Sequence, residues 1–348
     1  MSKLRAGILG ATGLVGQQFA RIISDHPDFE LAGLYASSLS SGKKYSESLK
    51  HISVQHGNYA KEMEVSSIED IKADIVELDI LFSSLPANMA DIEAELSEKV
   101  PVITKSSAHR MDRDIPLIIP EVNPDHLQLL DIQRKRKKGG FLSSDPNCST
   151  TQLVLALKPL EEFGIEWVNV TTMQALSGAG YPGVSSMDMM GNIIPHIEME
   201  EEKMERETGK ILGKFYKDQI VFAENPRIIA KCNRVPVIDG HMETVFVKLT
   251  YSPDISEVRK SLSNFKGAKA SRGLHSSPDQ INIVLDEVDR PQPRLDLMAG
   301  NGMSVVIGGL KKAGDVLTFT SLSHNIIRGA AGGAVLHAEL LHRSGYIL

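Results

Sequence analysis

Short apolar runs alternate with amphipathic, glycine-punctuated stretches over the first 150 residues. Leu4 to Leu9 reads as a buried strand that passes through Gly10, Gly13 and Gly16 into a helix ending near Ser24. Glu30 to Ala36 and Asp79 to Phe82 read as further strands, the latter running into Ser83-Ser84-Leu85-Pro86. Asn88 to Lys99 has helical spacing and Pro101 to Thr104 is strand-like. A helix from about Asp125 closes on the basic run Arg134-Lys135-Arg136-Lys137-Lys138 before Gly139-Gly140, which stops it. Phe141 to Ser143 is a strand leading to Asp145-Pro146-Asn147-Cys148. Strands alternating with helices predict a doubly wound, mainly parallel sheet.

The pattern changes beyond the predicted helix Ser149 to Phe163. Longer strands are expected at Trp167 to Leu176, Arg227 to Val237, Glu243 to Tyr251, Ser304 to Leu310 and Val316 to Leu322. Lys311-Lys312-Ala313-Gly314-Asp315 is a hairpin signal between the last two. Helices are expected at about Ile197 to Leu212 and Ser256 to Phe265, so this half reads as α+β with a mainly antiparallel sheet. A final helix from about Ile327 to His342 returns to the first domain. The expected division is 1–148 plus 325–348 for one domain and 149–324 for the other.

The 348-residue length agrees with about two domains. With 38 Lys and Arg against 44 Asp and Glu, the net charge of -6 argues against a nucleic-acid partner, and the basic run is expected to be a solvated helix end. No stretch is long and apolar enough for a membrane span, and Leu4 to Leu9 leads into glycines rather than a cleavage site, so no signal peptide is expected. The two cysteines, Cys148 and Cys232, make no disulfide framework and fit a reducing cytoplasm.

Gly10-Ala11-Thr12-Gly13-Leu14-Val15-Gly16 joins a strand to a helix in the manner of a Rossmann-like phosphate loop, although its spacing is GxxGxxG rather than GxGxxG. An acidic residue that would hold a ribose 2′-hydroxyl is missing at the end of the second strand. Ser37, Ser38, Ser40, Ser41, Lys43 and Lys44 stand there instead and suit a 2′-phosphate, so NADP is expected over NAD.

Cys148 opens a helix with the apolar face Leu153, Leu157, Leu160 and Phe163. The positive helix end is expected to favour its thiolate and lower its pKa below about 8.5. Asn147 is positioned to donate an amide hydrogen to an oxyanion. Of the eleven histidines, His241 stands out as a proton partner of near-neutral pKa. It lies in Arg234-Val-Pro-Val-Ile-Asp-Gly-His241, seven positions after an arginine suited to an anionic substrate. Cys232 is expected to be structural, and no metal site is expected, because the histidines lack ligand spacing.

These motifs, together with Ser-Ser-Ala-His-Arg110, Gln174-Ala-Leu-Ser-Gly-Ala-Gly and Asn325-Ile-Ile-Arg-Gly-Ala-Ala-Gly-Gly, run in one order across nearly the whole chain. They resemble the archaeal and fungal branch of aspartate-semialdehyde dehydrogenase. The resemblance implies NADPH-dependent conversion of L-aspartyl 4-phosphate to aspartate semialdehyde, in synthesis of lysine, threonine, methionine and isoleucine, by a homodimer or homotetramer. It makes Cys148 the nucleophile, His241 the acid/base, Gln174 the group that orients the acyl intermediate, Arg234 the carboxylate ligand and Arg110 a phosphate ligand. Ser177 and Gly178 join the implied substrate contacts. Ser84, Leu85, Pro86, Gly180 and Asn325 join the implied cofactor contacts. Glu200 and Lys203 resemble the substrate-binding Glu and phosphate-binding Lys, with Glu201, Glu202, Glu207 and Lys210 as competing registers or, instead, a solvated helix. Leu39 stands where the family often has an arginine. Malonyl-CoA or succinyl-CoA reductase is the nearest rival; Asn147-Cys148-Ser149 favours aspartyl phosphate over it. N-acetyl-glutamyl-phosphate reductase usually shows Gly-Cys-Tyr or Gly-Cys-Phe instead. A non-catalytic NADP-binding sensor on the same scaffold is the alternative of another class.

Overall fold

The computed structural model describes residues 2–51, 58–71, 75–137 and 139–348, so Lys138 of the basic run lies outside the described residues. Chain order in the first half is β1 (Leu4–Leu9), α1 (Leu14–Ser24), β2 (Phe29–Ala36), β3 (Ser66–Ser67), β4 (Ile80–Ser83), α2 (Ala90–Leu96), β5 (Pro101–Thr104), α3 (Gln128–Arg134) and β6 (Phe141–Ser144). All six strands are parallel, in the order β3-β2-β1-β4-β5-β6. The order reverses direction at β1 and β4, and the crevice above their carboxyl ends is where open α/β sheets take ligands. Leu4, Ala6, Ile8 and Leu9 of β1 are all buried, as a strand covered on both faces requires. Phe19 of α1 packs on Phe82 of β4 with ring centroids 5.1 Å apart.

The second half comprises α4 (Cys148–Leu157), β7 (Ile165–Gln174), α5 (Glu200–Ile211), a small β8 (Lys214–Tyr216) and β9 (Gln219–Val221) hairpin, β10 (Arg227–Arg234), β11 (His241–Leu249), α6 (Ile255–Asn264), β12 (Asn282–Val284), β13 (Val305–Ala313) and β14 (Val316–Ser323). Its sheet order is β10-β7-β11-β14-β13-β12. The three central pairings are antiparallel, but β10 with β7 and β12 with β13 are parallel. The sheet is therefore mixed. The chain leaving β7 travels through α5 before it returns as β10, and such a crossover permits parallel pairing where a tight hairpin does not.

Several predicted helices are interrupted. Pro159 lacks an N–H and crowds the preceding turn, so α4 gives way to a 3₁₀ stretch at Lys158–Phe163. Met199, at φ 58°, breaks the helical path before α5. The last helix starts with a π-helical turn, Ile327–Ala331, and continues as α7 (Gly332–Arg343). Val335, Leu336, Leu340 and Leu341 of α7 share the first core with Phe19 and Ile23 of α1. No helix among the described residues is long and apolar enough to cross a membrane. The basic run has partners within the chain: Arg134 lies over Phe141 and Tyr346, Arg136 faces Asp114 and Lys137 pairs with Glu98.

Candidate active site

The glycine loop is set by close approach. Gly10 has φ 76° and, with Ala11, donates its N–H to the Tyr35 carbonyl at the end of β2. A Cβ on Gly16 would lie 2.2 Å from the Gly10 carbonyl oxygen, closer than any side chain tolerates. Gly13 caps α1 with extended backbone and no side-chain bond, leaving the helix end as backbone N–H donors for an anion. A cleft of about 830 Å³ runs from Gly13, Leu14 and Val15 past Ser84, Leu85 and Pro86 to Cys148, with Gly180 and Asn325 opposite. These features fit a dinucleotide pyrophosphate. Thr12 lies within the loop, its carbonyl accepting from Gln17. Ser37, Ser38, Ser40 and Lys43 sit on the turn after β2 outside the cleft lining, with the Lys43 ammonium on the Leu39 carbonyl at 2.8 Å.

Asn147 caps α4. Its Oδ1 accepts from the Ser149 and Thr150 N–H groups at 2.9 and 3.2 Å. Its Nδ2 donates to Glu200 Oε1 at 2.7 Å and its own N–H to Glu207 Oε2 at 2.7 Å. The amide expected to face an oxyanion is thus engaged with Glu200. Cys148 is part-exposed and lines the cleft. Its pKa runs against the sequence expectation. Burial, reinforced by the Glu200 carboxylate, pushes the thiol up to about 11, while Lys105 and Arg110 pull the other way. Desolvation of a charged sulfur outweighs the helix end.

His241, the first residue of β11, is buried. Its Nδ1 accepts the Ala175 N–H at 3.0 Å, which places the ring proton on Nε2, and Nε2 has no hydrogen-bond partner. Burial, then the Arg234 and His324 charges, lower its pKa to about 3. The near-neutral value expected from sequence is corrected: this imidazole is neutral and presents a donor. Arg234 donates to the Ala175 carbonyl at 2.7 Å and reaches the cleft. Gly178 lets both approach, because a Cβ there would stand 2.8 Å from Arg234 Nη1 and 3.1 Å from His241 Nε2. Asn325 donates to Ser177 Oγ and accepts from the Gly240 N–H, tying the last domain crossing to this loop. Gln174 is buried beside Arg234 on β7. Neither it nor His241 lines the cleft itself; both stand behind the residues 175–178 that do or flank it.

The register of α5 separates the acidic candidates. Glu200 and Lys203 line the cleft. Glu201 turns to Lys231, and Glu202 is exposed. Glu207 receives Arg110 Nη1 at 2.9 Å, and Lys210 donates to the carbonyls of Arg110, Asp112 and Ile115. The second pair therefore holds the Arg110 loop in place. Arg110 lines the cleft, and its buried Nε has no partner. Sequence reasoning missed Lys105, which lines the cleft, and Gly329, where a Cβ would lie 2.4 Å from the Cβ of Cys148. Lys105 carried a usable signal, since it directly follows β5 at the same sheet edge as Gly10 and Ser84.

A doubly wound parallel sheet whose glycine-loop cleft ends on a helix-capping cysteine, completed by a mixed-sheet domain, defines a thiol-dependent dehydrogenase of the dinucleotide-binding class. Residues 5–130 match the model of the semialdehyde dehydrogenase NAD binding domain, and 157–328 that of the semialdehyde dehydrogenase dimerisation domain. Aspartate-semialdehyde dehydrogenase of Archaeoglobus fulgidus is 45% identical over 96% of this chain and 97% of its own, and that of Methanothermobacter thermautotrophicus 43% identical over 97% and 99%. The crystal structure of aspartate semialdehyde dehydrogenase with NADP from Candida albicans superposes with a TM-score of 0.90, at 39% identity, covering 99% of this chain and 100% of that one. The chain belongs to the aspartate-semialdehyde dehydrogenase family.

Proposed function

We propose that this chain reduces L-aspartyl 4-phosphate to L-aspartate 4-semialdehyde, with release of phosphate, through a thioacyl intermediate on Cys148. NADPH is the reductant, and the step serves lysine, threonine, methionine and isoleucine synthesis in the cytoplasm. The observation that carries this reading is one cleft that joins the glycine loop to Cys148 and adds Arg110, Lys203 and Arg234 as cations. Gly10, Gly13, Leu14, Val15 and Gly16 would hold the pyrophosphate, and Ser37, Ser38, Ser40 and Lys43 the 2′-phosphate. Bound there, the nicotinamide supplies hydride.

The chain's own residues do the rest. Cys148 as thiolate attacks the acyl carbon, and phosphate departs towards the unpartnered Arg110 Nε and Lys203. Arg234 takes the substrate α-carboxylate, while Glu200 takes the α-ammonium. An ammonium on Glu200 cancels the charge that most opposes Cys148 ionisation, so substrate binding itself favours the thiolate. With the Ser149 and Thr150 N–H groups held by Asn147, the Cys148 N–H at the head of α4 stabilises the tetrahedral oxyanion. The Nε2–H of His241 offers a hydrogen bond to the departing thiolate, which leaves as the alkoxide collapses to the aldehyde, and Gln174 orients the acyl group. The outer faces of β10 and β11, carrying part-exposed Ile229 and Phe246, support a homodimer or homotetramer.

The test is phosphate-dependent NADPH formation from aspartate semialdehyde, run beside NADPH oxidation by malonyl-CoA. Activity in the first assay alone is expected, and Cys148→Ala should abolish it while NADP still binds. Activity with malonyl-CoA alone, or turnover by the alanine variant, would overturn the reading.

A further inference from the structure

Burial opposes ionisation of the Cys148 thiol, and a cation standing close to the sulfur offsets part of that cost. Glu200 faces the sulfur from α5, Arg110 from the loop after β5, Arg234 from β10 and Lys105 from the end of β5. Arg234 is bonded to the Ala175 carbonyl. Arg110 is spoken for twice, by Glu207 and by the Lys105 carbonyl. Lys105 is held too, but by the turn that carries the cysteine. Its ammonium reaches across the sheet edge to the Pro146 carbonyl at 3.1 Å, two residues before Cys148, and its side chain is 12% exposed. Asp145 Oδ2 stands 3.9 Å from it and has no hydrogen-bond partner of its own. The other oxygen of Asp145 is held by His337 Nδ1 at 2.8 Å, and His337 Nε2 meets Ser143 Oγ at 3.1 Å. A buried chain from α7 through β6 thus anchors the carboxylate that holds Lys105 over the turn delivering the nucleophile.

We propose that Lys105 is the counter-ion of the Cys148 thiolate, fixed in the same cleft on the turn before the cysteine by Pro146 and by the Ser143–His337–Asp145 chain. On ionisation the thiol proton goes to cleft water, and the ammonium already in place balances the new charge. The charge on Lys105 is the strongest favourable one acting on the thiol, ahead of Arg110. Burial works against the ammonium, while Asp145, Cys148 and Glu207 support it and Arg110 opposes it. The inference rests on the reading of Cys148 as nucleophile, yet its test needs no turnover.

Alkylation of Cys148 by iodoacetamide is followed against pH in a Cys232→Ser background. Cys232 is buried against Met204, so the signal belongs to Cys148. Lys105→Met should slow alkylation at neutral pH about tenfold or more and move its midpoint up by about one pH unit. Lys105→Arg, which keeps the charge, should recover most of the rate. Lys105→Gln replaces the methionine variant if that protein fails to show a cooperative melt. An alkylation profile unchanged in Lys105→Met or Lys105→Gln overturns the proposal. So does an unchanged profile with weaker protection by inorganic phosphate, which would make Lys105 a leaving-group ligand. Loss of alkylation control without any semialdehyde activity in the parent would sustain this inference while refuting the proposed reaction.

Discussion

Gly329→Ala is the smallest change that reaches the nucleophile. The glycine lies in the π-helical turn, and an alanine Cβ would stand 2.4 Å from Cys148 Cβ and 2.9 Å from Cys148 Cα. Non-bonded carbons rest at roughly 3.5 Å or more, so the two segments must part by about 1 Å. Neither yields easily. Asn147 pins the head of α4 through two backbone bonds, and the flanking Arg328 is gripped by Glu121 through two bonds of 2.7 Å. Forced overpacking of this kind costs about 1–3 kcal/mol of stability. A displacement of about 1 Å at a reacting atom costs on the order of a hundredfold in rate. The expected outcome is a large fall in kcat for semialdehyde oxidation, with NADP affinity close to the parent's because the added Cβ meets Cys148 and no residue of the glycine loop. Steady-state kinetics, NADP titration and thermal melting would be measured on one preparation. Parent-like kcat together with parent-like melting would refute the packing argument.

Three other perturbations probe separate parts of the molecule. Arg328→Met leaves Glu121 as a buried unpaired carboxylate, and chemical denaturation should show a loss of about 3–5 kcal/mol that the double variant Arg328→Met, Glu121→Leu largely restores; a single variant within 1 kcal/mol (roughly, on the same scale) would show the pair to be idle. Glu243 is buried among Ser321 and β11 neighbours with its pKa raised well above the usual carboxyl value by burial, so the native state keeps a proton that the unfolded chain has lost. Native stability therefore falls as pH rises above the ordinary carboxyl value. Glu243→Gln should remove that slope, and parallel melting curves for the two proteins across this range would contradict it. Lys43→Glu should raise KM for NADPH by about tenfold or more with little change for NADH, since a charge-assisted phosphate bond is worth roughly 1.5–3 kcal/mol; an unchanged cofactor ratio would remove Lys43 from the 2′-phosphate site.

The sequence by itself determined the two halves of this protein, because their logic is local. Apolar runs such as Leu4 to Leu9 suit covered strands, glycines at 10, 13 and 16 suit a tight strand–helix turn, and Asn147-Cys148 after a strand suits the start of a helix. Cys148 and Arg234 were legible as candidates for the same reason, each sitting at a junction that its own neighbours specify, whereas Gly178 came only with the family resemblance. Tertiary structure decided everything that depends on which distant groups share one environment. Periodicity alone left Glu200, Glu201 and Glu207 as competitors, and only the docking angle of α5 sent the first to the cleft, the second to Lys231 and the third to Arg110. The ionisation of Cys148 and His241 was misjudged from sequence because the helix end and the adjacent arginine are local, whereas desolvation is summed over every chain segment that packs around them. Lys105 and Gly329, far apart along the chain, became neighbours of one sulfur only when the sheet edge and the returning C-terminal turn closed over it.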